Sequence, residues 1–80
     1  MKHYQEIFSK IKAAIANAPR NQATAEMHLQ MIKYADQLEH ITAKEFCEGT
    51  DLKASFGTEF SKMRNISARL KAAGLDVAKI

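Results

Sequence analysis

Between Ser61 and Ala73 the chain carries four cations, one carboxamide and no acidic side chain. Lys62, Asn65 and Arg69 recur at i, i+3 and i+7, a spacing that lines them up on one side of a helix. Arg64 and Lys71, seven residues apart, flank that line, and Ser61 precedes it. Arg and Lys side chains pair with guanine edges or phosphates, Asn with adenine, and Ser with either a phosphate or a base. Ala68 and Ala72 keep the same side low enough for close approach. Ser55 and Thr58, near the expected helix start, add hydroxyl and backbone N–H groups for a phosphate. An ordinary solvated helix also has one apolar and one Lys/Arg-rich face, so the residue types alone do not decide.

The distribution of charge adds to the case. Residues 1–54 hold seven Lys/Arg and seven Asp/Glu, whereas residues 55–80 hold five Lys/Arg against Glu59 and Asp76. The whole net charge of +3 therefore sits in the last third. A localised excess points to a polyanionic partner more than uniform basicity would.

The elements that must carry this face are helices. Tyr4, Ile7, Phe8, Ile11 and Ile15 predict a first helix over about Lys2 to Asn17, and Pro19 ends it. A second helix is expected from about Gln22 to Glu39. Its apolar set (Met27, Met31, Tyr34 and Leu38, with Leu29 and Ile32 beside them) is wider than one face, which predicts a central helix or one shared with a second copy. Thr42-Ala43-Lys44-Glu45 has the capping-box spacing and predicts a short third helix over about Ala43 to Glu48. That helix should bury Phe46 and Cys47 and stop at Gly49. Leu52 anchors the next turn. Ser55 is expected to cap a fourth helix running to about Ala73, with Phe56, Phe60, Met63, Ile66 and Leu70 as its apolar stripe and Ser67 beside it. Gly74 and Leu75 form its stop signal.

The fold class expected is all-α: residues 1–80 as one compact four-helix domain, long–long–short–long. Residues 42–73 form a helix-turn-helix-like unit within it. The segment Thr42 to Leu70 resembles a bacterial helix-turn-helix unit. Thr42 matches the cap, Cys47 the small buried residue, Leu52 the turn aliphatic and Phe56 to Leu70 the recognition helix. The chain is also similar to small bacterial and phage helix-turn-helix-like proteins, mainly over residues 27–70, through MHLQMIKYADQL and SFGTEFSKM. It departs from the pattern in two places. The turn glycine of such units falls near Asp51, while Gly49 comes two residues early, and Gly57 stands where Val or Ile is usual. The resemblance implies a fold more than an activity.

Other chemistry is poorly supported. His3, His28 and His40 have no metal-ligand spacing, and Cys47 has no CxxC partner. Cys47 also lacks a neighbouring His and is expected to be a buried structural thiol. Glu45 and Glu48 lie one turn apart, but Glu45 has a capping role and Glu48 a surface place, so acid–base work is not expected. The sequence holds no GxSxG, GxxxxGK[ST] or HExxH motif. An 80-residue chain is expected to offer little room for a pocket of a few hundred cubic ångströms. Neither an enzyme nor a cofactor is expected. No apolar run approaches the roughly 20 residues of a membrane span, and the first residues do not read as a signal peptide. The lone cysteine suits a reducing cytoplasm.

Duplex DNA is the expected partner. Ser61, Lys62, Arg64, Asn65, Arg69 and Lys71 are the contact residues of a small transcriptional regulator that pairs as a homodimer through helix two. The alternative is a protein–protein adaptor or inhibitor, phage-borne or mobile, gripping an acidic partner with the same helix. A module serving dimerisation alone is a third reading.

Overall fold

A computed structural model describes the backbone of residues 2–80 and the side chains from Tyr4 onward, so Lys2 and His3 lie outside the described side chains. Four α-helices follow in order: α1 Lys2–Ala16, α2 Ala23–Lys33, α3 Ala43–Thr50 and α4 Gly57–Ala72. Single 3-10 turns precede and follow α4 at Ala54–Phe56 and Val77–Lys79. No strand occurs among the described residues. The all-α, four-helix expectation holds.

The core forms where all four helices meet. Ile7 and Ile11 from α1, Met27 and Met31 from α2, Phe46 and Cys47 from α3, and Phe60 from α4 are buried together with Leu38 and Ile41. Phe46 and Phe60 stack with ring centroids 4.1 Å apart, which joins α3 to α4. The Phe8 ring meets Phe46 edge-on at 6.2 Å and joins α1 to α3. Both α1 and α4 pack on α2 and α3, and they share almost no contact with each other.

The capping box forms as the spacing predicts. Glu45 N–H donates to Thr42 Oγ1 at 3.0 Å, and Thr42 N–H donates to Glu45 Oε1 at 2.8 Å. At the far end of α4, Gly74 takes a φ of 115°. Leu75 N–H then bonds the Leu70 carbonyl and Gly74 N–H the Lys71 carbonyl, the paired bonds of a glycine stop.

Three boundaries differ from expectation. Helix α2 ends at Lys33, and Tyr34 to His40 form irregular turns that still bury Ala35 and Leu38. Helix α3 runs past Gly49 to Thr50, and Asp51 takes the left-handed turn at φ 59°. Asp tolerates that conformation better than most residues. Gly49 is needed for another reason: a Cβ there would lie 2.3 Å from the Phe8 ring, so its absence lets α1 close on α3. Finally, Ser55 lies in the 3-10 turn and does not cap α4, which starts at Gly57 without a side-chain cap. A Cβ at Gly57 would lie 3.1 Å from Ala43 Cβ. This close approach seats the first turn of α4 against the start of α3.

Candidate functional site

The seat at Gly57 sets which way α4 faces. Its inward line is Gly57, Phe60, Arg64, Ser67 and Lys71, with Met63 and Leu70 half-buried at one edge. The expected stripe is thus turned by roughly 60° about an axis of 3.6 residues per turn. Ile66, expected in the core, is exposed, at 43% of its full surface. Ser67 is buried, and its hydroxyl donates to the Arg64 carbonyl at 3.0 Å.

The rotation divides the six expected contact residues. Arg64 turns inward: its Nη1 donates to the Leu38 carbonyl at 3.0 Å and the Ile41 carbonyl at 2.7 Å. Its guanidinium carbon lies 4.6 Å from the Phe60 ring centroid. The expectation that Arg64 contacts a groove is therefore corrected, because its donors close the irregular end of the α2 segment. Lys71 pairs with Asp36 across the same joint, with its side chain 29% exposed. A pair this open to solvent contributes little, and it does not decide against the expected contact role of Lys71.

The other four remain on or beside the outward face. Lys62, Asn65 and Arg69 are exposed, and Ser61 is half-buried. Thr58 is exposed one turn before Lys62, so hydroxyl, cation, amide and cation follow one another along the helix. Lys62 lies 3.9 Å from Glu59 Oε2, a loose pair with the lysine 63% exposed. Glu59 is tied more closely to His28 of α2, at 3.0 Å. The structure adds Ile66 to this face, which the sequence pattern had assigned to the core. Ser55, also expected to meet a phosphate, is exposed in the preceding turn.

Elsewhere, the side chains with reactive chemistry are occupied or scattered. Cys47 is buried, and burial pushes its thiol pKa above the ordinary value, which fits a structural role. Among the described residues no group of three His, Cys, Asp or Glu side chains could hold a metal. An open groove of about 500 Å³ runs between α1 and α3, lined by Tyr4, Phe8, Glu45 and Glu48 among others. This corrects the expectation of little room for a pocket. Glu45 in its wall is engaged in the capping box. No helix among the described residues is long and apolar enough to cross a membrane.

Comparison with known families matches the chain to a family described as HTH-like domain (helix-turn-helix-like) over residues 3–73. No match was found among curated proteins or among solved structures.

Proposed function

The chain belongs to the HTH-like domain family, and from that premise we propose that it binds double-stranded DNA, with the outward face of α4 in the major groove. One observation carries the reading. Thr58, Lys62, Asn65 and Arg69 form an exposed line on a helix that bears no acidic side chain from Ser61 to Ala73. The groove, about 12 Å wide, admits one helix. Lys62 and Arg69 meet phosphates or guanine, Asn65 meets adenine, and Thr58 and Ser61 support at the helix start.

Arg64 serves this site indirectly, by fixing α4 to the segment that follows α2. The role in the cell is that of a small transcriptional regulator, not an enzyme, working in the cytoplasm, where a free buried thiol such as Cys47 is at home. A homodimer remains part of the proposal, with a smaller seam than expected. Met27, Met31 and Leu38 are consumed by the chain's own core, which leaves exposed Leu29 as the apolar contact on α2.

Duplex binding by fluorescence anisotropy tests the reading, with wild type beside Lys62→Ala/Arg69→Ala. Binding that weakens at least tenfold in the double variant, with its helical content unchanged, is the expected result. Absence of duplex binding by wild type at about 50 mM salt, where phosphate contacts are strong, contradicts it. The acidic-protein reading would then be the one to pursue.

A further inference from the structure

Among the described residues two large hydrophobic side chains stand exposed, Ile66 on α4 and Leu29 on α2. Lys62, Ile66 and Arg69 are spaced i, i+4 and i+7, so Ile66 sits between two cations on the proposed reading face. Asn65 is its chain neighbour and is also exposed. A face that met phosphates alone would gain nothing from an aliphatic branch at its middle, because phosphate and sugar contacts are polar. In the major groove one base-edge group is apolar, the C5-methyl of thymine. An A·T pair presents that methyl on one base and the N6/N7 edge that suits Asn on the other.

We propose that Ile66 is a specificity-determining residue that packs on a thymine methyl beside the adenine read by Asn65. The inference rests on the DNA-binding reading and deepens it. It gives the chain a preference for A·T over G·C at the centre of its footprint, flanked by the positions that Lys62 and Arg69 contact. The methyl is about one buried carbon, so its loss weakens binding about fourfold.

The test begins by selecting a preferred duplex from a random-sequence pool with wild-type protein. Each thymine is then replaced singly by deoxyuridine, which keeps the base-pair hydrogen bonds and removes only the methyl. The proposal expects one central replacement to weaken wild-type binding about fourfold. It also expects Ile66→Ala to bind the thymine duplex less tightly than wild type and to give the same affinity for thymine and deoxyuridine there. Circular dichroism of Ile66→Ala should match wild type, since the side chain is outside the core. Wild-type binding that is salt-sensitive yet indifferent to every replacement, or a pool that yields no preferred sequence, overturns the methyl contact and leaves the DNA reading standing. No duplex binding by wild type overturns both. Equal loss on both duplexes, with a change in oligomeric mass, assigns Ile66 to contact between copies and overturns the proposal.

Discussion

Arg64 shows how a residue of the right type can serve a different end. Its charge and its place on a basic helix suit a phosphate, yet its guanidinium bridges two backbone carbonyls and stacks on Phe60. Those bonds span 26 and 23 residues of sequence, so no local spacing announces them. Removing the side chain leaves the Ile41 carbonyl without its donor, leaves the Leu38 carbonyl with the Ile41 N–H alone, and strips one face of Phe60. Arg64→Ala should cost about 2–3 kcal/mol and lower Tm by roughly 10 °C or more. Arg64→Lys should recover only part of that, because an ammonium lacks the planar stacking surface. Thermal denaturation followed by circular dichroism checks both variants. A Tm unchanged in Arg64→Ala would free this side chain for a contact role after all.

Elements were legible where their signals are local. The capping box of α3 needs only Thr42 and Glu45 at the right spacing, and both of its bonds form. Pro19 and Gly74 likewise end their helices through their own backbone chemistry. The end of α2 was not legible, since Tyr34 to His40 contains neither Gly nor Pro and its apolar spacing runs on through Ala35 and Leu38. Tertiary contact, including the Arg64 bridge, accommodates the break there. The facing of α4 was only half legible: Lys62, Asn65 and Arg69 were placed outward correctly, but the intimate seat of Gly57 on Ala43 turned Ile66 out and Arg64 in. Gly49 makes the same point for α1 and α3. It reads as a helix stop, yet it lies within α3 under the Phe8 ring. Gly49→Ala, normally favourable within a helix, should here destabilise by about 1–3 kcal/mol, because the half-buried Phe8 ring must give up its packing against the core. Denaturant titration would show this as a lower midpoint. A stabilised variant would mean that the α1–α3 joint can yield without loss.

At the scale of the molecule, a chain of 80 residues and 9.0 kDa buries a modest core and would gain stability from pairing with a second copy. A symmetric dimer would also match a DNA reader to two half-sites one helical turn apart. Light scattering should therefore give twice the chain mass, and Leu29→Glu should return it to the monomer with the fold intact. A monomer mass for wild type would remove the seam from the account. Charge is the larger theme. The net excess lies in the last third of the chain, and the outward side of α4 carries it where Lys62 and Arg69 stand exposed. Helix α1 shares almost no contact with α4, and its exposed Lys10 and Lys12 lie outside that excess, each balanced by a nearby carboxylate, Glu6 and Asp51, in pairs as loose as that of Lys62 with Glu59.

That contrast selects the most direct test of the central claim, that the outward face of α4 is the DNA footprint. The slope of log affinity against log salt would be measured between about 50 and 200 mM for wild type, Lys62→Ala/Arg69→Ala and Lys10→Ala/Lys12→Ala. Each phosphate contact removed lowers the slope by about one. The expected slope is lower by about two in the α4 variant if both cations meet phosphates, or by about one if one of them reads a base, with no change in the α1 variant. Equal slopes in all three proteins, or a loss confined to the α1 variant, would contradict it.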